Sequence, residues 1–411
     1  MIRDFSSSLK ELTKLIIIFV FTLNKVFSQV MPTSFGIHSK KSNSQEINYA
    51  LSFDGSNDHL TTNGGTISTA WSFEVWYKKN GNQSAINLTN DKNSNNGGTW
   101  ALRLGQWNNI NKVGITKYNV KVYYINNSKA NLDIGKWEHV AWTYENNLVT
   151  VYINGENLGT TFTRGPLANG AILYWNIIGK SVRTINGDLD EVRVWSDVRT
   201  EAEINDNMFK ELNGDETGLV AYYKMSDGSG TTVSDNSSNT YNGTMVNMST
   251  DDWVTSYAPI GNLNSSYQTD VEGLWKKTGT DNSEDSNGLK MRVSSELAEA
   301  NYTVFGNNNS SGTTTTNLPS GESLQKRSSR EWQIDEKGTV TADIIVDISD
   351  ATGNSISPTA ASNYKLLYKS CVGCDFTVKA SGSSSSNDVI TFSDIALQDG
   401  FYSVASTDSN L

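Results

Sequence analysis

The sequence predicts an all-β protein: an antiparallel β-sandwich with one short helix, followed by a second, smaller β-sandwich. Three observations carry this. Seventeen Tyr, 11 Trp and 33 Gly sit among many Ser, Thr and Asn, while charged residues are only 19% of the chain, a mix that suits pleated sheets joined by polar turns. Short apolar or alternating stretches recur between Gly, Asn, Asp and Ser clusters. A helical period with a start signal occurs in one place alone. Five Pro and the lack of a long charge run argue against a disordered chain.

The first segment is read apart from the fold. Lys10 and Lys14 precede an apolar run from Leu15 to Leu23, and "NKVFSQ" follows. A charged start, a short apolar stretch and a small residue at Ser28 make residues 1–28 a signal peptide. The run is about half a membrane span, and a retained anchor helix is the alternative. No Cys follows it, which argues against a lipid anchor. The expected location is therefore secreted or cell-surface, with no transmembrane segment after cleavage. Residues 29–47 read as a lead-in.

Strand-like stretches begin at "INYALSFDGSNDHL". In "WSFEVWYKK", Trp71, Phe73, Val75 and Tyr77 alternate with Ser72, Glu74, Trp76 and Lys78. "KWEHVAWTYENN" and "LVTVYINGENLGTTF" follow, and Asn154-Gly155 in the latter marks a two-residue hairpin turn whose central positions both need positive φ. "YWNIIGK" and "GDLDEVRVW" come next. The helix is "TEAEINDNMFKEL": Thr200 and Glu203 form a capping box, Ile204, Met208 and Leu212 repeat on one face, and Gly214 reads as the stop. "GLVAYYKM" returns to strand, and residues 226–243 are turn-rich. Core candidates are Trp76 or Val75, Val140, Trp142, Val151, Ile153, Val192 and Val194.

A break near "SYAPIGNLNSS" divides the chain into a first sandwich at 48–257, a linker at 258–268 and a second sandwich at 269–411. The second contains "LKMRVSS", "NYTVFGN", "REWQI", "TVTADIIVDI", "YKLLYKS", "DFTVKAS", "VITFSDI" and "FYSVAS" as strands. "NSSGTTTTN" and "SGSSSSND" read as loops by composition. Eight of the 11 Trp fall between 71 and 195, which gives the first sandwich the larger aromatic core.

The two cysteines, Cys371 and Cys374, lie in "KSCVGCDF". With no second Cys pair, and His38, His59 and His139 far upstream, a local disulfide suits an exported chain. The net charge of −11, with no basic patch apparent, excludes a nucleic-acid partner, because phosphate contacts need Lys and Arg.

Taken in order, "ALSFDGSNDHL", "FEVWYKK", "KWEHVAWTYENNLVTVYINGE", "IGK", "GDLDEVRVWSDVRTEAEI" and "GLVAYYKMSDGSGTTVSDNSSNTYNGT" resemble the laminin-G-like, concanavalin A-like jelly-roll domains of bacterial secreted surface proteins. The likeness spans roughly 48–255 and implies a jelly roll of two face-to-face sheets. The segment 264–411 resembles a β-rich region of unknown function that follows such domains in secreted proteins carrying a type IX sorting signal; the usual sorting domain would come after it.

The resemblance frames three functions. Jelly-roll glucanases place Glu-x-Asp-x-Glu on one strand, and their retaining chemistry needs two carboxyls about 5–5.5 Å apart. Here Asp188 and Asp190 share one face of "GDLDEVRVW", but that register continues to Val192, and the other reads Leu189, Glu191, Arg193. No catalytic residue is therefore assigned, and His139 reads as a hydrogen-bonded structural residue. A secreted or cell-surface binding and adhesion protein for glycans or extracellular proteins is the expected function. A divergent glycoside hydrolase and a structural component without a small ligand are the alternatives. For a sugar, the aromatic candidates are Trp107, Trp100, Tyr118 and Trp175, with Asn108 and Asn109 supplying amides. Relatives often hold calcium at a loop edge, and the ligand candidates here are Asp54, Asp58 and Asp190.

Overall fold

The three longest strands, Trp71–Lys79, Trp137–Glu145 and Asn186–Trp195, form the middle of one antiparallel sheet. We describe it from a computed structural model, for residues 47–83, 85–90, 99–106, 112–159, 170–179, 183–275, 286–354, 357–408 and 411. The sheet runs Glu156–Asn157, Leu148–Ile153, Trp137–Glu145, Trp71–Lys79, Asn186–Trp195, Tyr49–Asp54 and Trp253–Thr255, and Leu219–Tyr223 also pairs with Asn186–Trp195. Two hairpins enforce its order. Asn146-Asn147 and Asn154-Gly155 all have positive φ, from 50° to 79°, the geometry a two-residue β-turn needs.

A second layer covers one face of this sheet. It contains a five-stranded sheet through His59–Thr62, Ile177–Ile178 and Gly243–Val246, and a four-stranded sheet of Ile86–Asn87, Trp100–Gly105, Gly114–Lys117 and Lys121–Tyr124. Leu88 ties the two together: its N–H donates to Leu102 at 2.9 Å and its carbonyl accepts from Gly179 at 2.8 Å. Between the layers lies one apolar core with Trp71, Phe73, Val75, Val140, Trp142, Val151, Ile153, Val192 and Val194. The alternation in "WSFEVWYKK" thus points Val75 into the sandwich and Trp76 out of it. The turn-rich segment after Leu219–Tyr223 is held by Asp235, whose carboxylate accepts from the backbone N–H groups of Tyr222, Ser237 and Tyr241 at 2.7–2.9 Å.

One strand changes parity midway. Leu189 and Val192 both enter the core although they are three apart. The register against Trp71–Lys79 shifts between Asp190 and Arg193, and Glu191 takes φ +52°. This is a β-bulge, whose extra residue keeps Asp188, Asp190, Glu191 and Arg193 off the core side.

The helix is Glu201–Met208, with the Thr200–Glu203 capping box formed in both directions. It stops earlier than the apolar repeat implies. Phe209 leaves helical geometry, and Leu212 is buried beyond the helix end in a small cluster with Trp195, Leu219 and Tyr222.

The second sandwich pairs Leu289–Arg292, Thr341–Asp347, Val389–Ala396 and Ser384–Ser386 in one sheet. The other runs Thr269–Leu274, Tyr302–Asn307, Trp332–Lys337, Gly400–Ser406, Lys326–Ser328 and Thr313–Thr314, with Tyr364–Lys369 and Thr377–Ser381 joined at Gly400–Ser406. Two stretches read as loops therefore hold short strands, Thr313–Thr314 and Ser384–Ser386. Backbone pairing to Lys326–Ser328 and Val389–Ala396 recruits them despite their polar side chains. The core centres on Trp332, whose indole N–H donates to the Ser286 carbonyl at 2.7 Å. Cys371 and Cys374 form a disulfide with Cα atoms 5.1 Å apart.

The two sandwiches belong to one unit, Asn48–Leu411, and share a buried seam on the outer face of the first sheet. Trp76, Trp137, Phe209, Val271, Trp275 and Val304 pack there. The Trp76 and Trp275 rings meet edge to face at 5.7 Å, and Phe209 lies 5.3 Å from Trp275. Trp76 donates to the Met208 carbonyl at 2.7 Å and Trp275 to Trp137 at 3.1 Å. At Gly273 an added Cβ would sit 2.4 Å from Phe209, so close approach of the sheets requires glycine there. Residues 258–268, read as a linker, are part of the seam: Ala258, Ile260 and Leu263 are buried in its cluster, and Tyr267 is buried beside it.

The Asn262 N–H donates to Asp335 at 2.8 Å. Burial pushes the Asp335 carboxyl up to about 6, against the help of that N–H. The folded chain then keeps this proton to higher pH than the unfolded chain, so the Asp335 contribution to stability falls as pH rises from about 4 through 6. Asp335→Asn is expected to raise the melting temperature near neutral pH, with the gain vanishing below about pH 4. Equal gains at both pH values, read by thermal melts, would refute the assignment.

Candidate functional site

The acids of "GDLDEVRVW" are structural. Asp188 takes Lys78 at 2.6 Å and Asn80 at 3.0 Å, and Lys78 continues at 2.8 Å to Glu299 of the second sandwich. Asp190 is fully buried and accepts from Ser256 at 2.5 Å, Asn48 at 3.3 Å and the Glu191 N–H at 2.8 Å. Burial and the neighbouring Glu191 hold its carboxyl well above the usual range. Glu191 accepts from Arg193 at 2.7 Å and from the Tyr222 hydroxyl at 2.6 Å. His139 Nε2 lies 3.4 Å from Glu74 in the same buried layer, and burial lowers its imidazole.

Of the three aspartates read as calcium ligands, Asp54 and Asp58 come together in one turn and act on each other, while Asp190 is engaged elsewhere. Asp190 spends its oxygens in the seam. Asp54 and Asp58 close their own turn: the Asp54 N–H donates to Asp58 at 2.9 Å and the Ser56 N–H to Asp54 at 2.7 Å. Among the described residues no group of three or more His, Cys, Asp or Glu could hold a metal ion.

The aromatic candidates separate. Trp107, Asn108 and Asn109 lie outside the described residues. Trp100 and Trp175 are core residues, 3% and 2% exposed. Trp100 packs on Tyr123 at 5.9 Å, and Trp175 meets Tyr241 edge to face at 5.1 Å. Trp100 on its strand, and Trp175 between the strands Leu173–Tyr174 and Ile177–Ile178 and packed against Gly64, where an added Cβ would lie 2.2 Å from it, have no face left for a sugar. Tyr118 is different. It begins the turn between Gly114–Lys117 and Lys121–Tyr124, half-buried, with its N–H on the Thr99 carbonyl at 2.7 Å.

Tyr118 leads to a site built on the outer face of the four-stranded sheet. In Trp100–Gly105, Trp100, Leu102 and Leu104 enter the core, so Arg103 points the other way. Arg103 pairs in register with Asn87, and the Asn87 N–H donates to the Arg183 carbonyl at 2.8 Å. The Arg183 guanidinium lies 4.8 Å over the Tyr118 ring and donates to its hydroxyl. Arg183 holds a left-handed φ of +63°, a strained state for a long side chain of the sort that clusters at functional positions.

Arg103 is the anomaly. It is 4% exposed, yet its Nε and Nη1 have no hydrogen-bond partner among the described residues. Burial, reinforced by Arg183, pushes its guanidinium down to about 9, while Tyr118 acts weakly the other way; it still carries its charge at neutral pH. Buried charges in proteins are normally paired, because an unpaired one is costly. The sequence held a signal for this place. From 92 to 132 there are six Lys or Arg and no Asp or Glu, a local exception to the acidic chain that its net charge conceals.

Residues 54–205 match the family described as the concanavalin A-like lectin/glucanases superfamily. Among solved structures, the chain is similar to a proposed carbohydrate-binding protein from Bacteroides ovatus, at 22% identity and a TM-score of 0.41; the match covers 52% of this chain and 62% of that one, under two thirds of its length. It is also similar to the SAP-like pentraxin of Limulus polyphemus, at 15% identity and a TM-score of 0.28, covering 38% of this chain and 80% of that one. Domain 4 of a GH43 extracellular arabinanase from Geobacillus stearothermophilus follows at 20% identity and a TM-score of 0.31, covering 39% and 80%. No curated protein matches the chain significantly. No helix among the described residues is long and apolar enough to cross a membrane.

Proposed function

We propose that the first sandwich is a non-catalytic saccharide-binding domain of a secreted or cell-surface protein, and that it holds its ligand on the outer face of the four-stranded sheet, around Tyr118, Arg183 and Arg103. The observation that carries this reading is Arg103, a buried guanidinium with donors that no described residue uses. A buried donor left unsatisfied calls for an explanation, and a bound ligand that supplies the partner is the one taken here. Tyr118 offers an aromatic surface beside it, the usual complement of polar groups in a small-ligand site. Binding, and not bond cleavage, is supported by the engagement of Asp188, Asp190 and Glu191 in the seam, on the opposite layer.

The test is a glycan array on the full chain and on Tyr118→Ala. The expected result is saccharide binding by the parent chain and at least a tenfold loss in the variant, with the melting temperature changed by less than about 2 °C, or under ~1 kcal/mol. Unaltered array binding by the folded variant would place the ligand elsewhere.

A further inference from the structure

We propose that the Cys371–Cys374 disulfide is a thiol-exchange site, at which an external thiolate is taken up on Cys371 as a mixed disulfide. The pair lies in the loop between Tyr364–Lys369 and Thr377–Ser381, two strands already paired up to Tyr368 and Thr377. Other bonds hold this loop besides the sulfur link. The Cys374 N–H donates to the Cys371 carbonyl at 3.1 Å. Asn317 clamps the far side, donating to the Cys374 carbonyl at 3.1 Å and accepting from the Phe376 N–H at 3.1 Å. Phe376 itself is buried with Leu367 and Ala405. A disulfide that closes so short a loop also removes little freedom from the unfolded chain. Its contribution to stability is therefore small, and stapling the fold is a poor account of it.

The two cysteines differ in setting. Cys371, Val372 and Gly373 are exposed, Val372 by 55%, and nothing lies within 4 Å of the place a Cβ on Gly373 would take. Exposed disulfides are the labile ones, because an incoming thiolate can reach them. Cys374 is half-buried, and the Ser370 hydroxyl lies 3.7 Å from its Sγ. This asymmetry sets the direction of exchange. The thiolate attacks Cys371 Sγ, and a new sulfur–sulfur bond forms there. The bond to Cys374 breaks, and its electron pair leaves on Cys374 Sγ as a thiolate, to which the Ser370 hydroxyl donates. One disulfide replaces another, so the step consumes no oxidant or reductant. Attack of the Cys374 thiolate on Cys371 Sγ runs it backwards and releases the thiol.

The test incubates the folded full chain with excess reduced glutathione at about pH 8, where thiols are partly ionised, and quenches samples in acid for intact and peptide mass spectrometry. The expected result is a single glutathione per chain, carried by Cys371, with Cys374 as a free thiol. Ser370→Ala is expected to slow its formation at least threefold, since the leaving thiolate loses its donor. The fully reduced chain should melt within about 2 °C of the oxidised one. Uptake only in denaturant, or an adduct carried mainly by Cys374, would overturn the proposal. An unchanged rate in Ser370→Ala would overturn the assigned leaving group. A reduced chain melting more than about 5 °C lower would mark the bond as a structural staple and overturn the proposal as well.

Discussion

Trp76→Ala is expected to cost about 4 kcal/mol and to separate the unfolding of the two sandwiches. Trp76 is fully buried and stands where Phe209, Trp275 and His139 meet. Its removal deletes the largest ring of the seam, leaves a void that the flanking sheets cannot close, and strips the Met208 carbonyl of its donor. Continuous packing between the sandwiches implies that the parent chain melts as one cooperative unit. Calorimetry of the variant should show two transitions, the lower belonging to the sandwich that depends more on the seam. A single transition shifted by under about 1 kcal/mol would mean that the seam contributes little.

Arg193→Met is the second. Arg193 is fully buried, pairs with Glu191 at 2.7 Å, and donates to the carbonyls of Asn207 at 2.9 Å and Lys210 at 2.5 Å. Methionine fills similar volume, so the loss comes from charge and hydrogen bonding. Glu191 would be left beside Asp190 with its cation gone, and stability should fall by about 3–5 kcal/mol. Burial already raises Glu191 above its usual range despite Arg193; without Arg193 it rises further. The variant keeps a proton that the unfolded chain has released, so its penalty should grow from about pH 5 to pH 8. Adding Glu191→Gln should restore part of the loss and remove that pH dependence. Failure of the double variant to recover anything would show that the backbone carbonyls, and not the ion pair, dominate.

Much of the scaffold was legible because it is written in local pattern. Alternation in "WSFEVWYKK", the Asn154-Gly155 turn and the Thr200–Glu203 box each depend on residues adjacent in sequence. Leu212 misled because an apolar residue at helical spacing is buried equally well by an irregular chain. Thr313–Thr314 and Ser384–Ser386 were hidden because pairing with a neighbouring strand overrides composition. The bulge at Glu191 has no sequence mark, since glutamate rarely takes positive φ and does so here because tertiary contacts impose it.

The site was harder. Trp100 and Trp175 attract attention as sugar platforms, yet large rings at strand spacing are what a sandwich core is made of. Tyr118 was visible as an aromatic at a turn. Arg103 was not, because its neighbours come from Tyr118 and Arg183, and sequence alternation says only that it opposes Leu102 and Leu104. The acid-free run from 92 to 132 was readable, but a whole-chain charge of −11 masks it.

The interlocked rings between the sandwiches also have a mechanical meaning. A slack tether would let each half swing and search by itself; here the face around Arg103 keeps a constant bearing to the second sandwich. A ligand gripped on that face would send tension straight through Trp76 and Trp275, so the chain answers a pull as a lever and not as a leash.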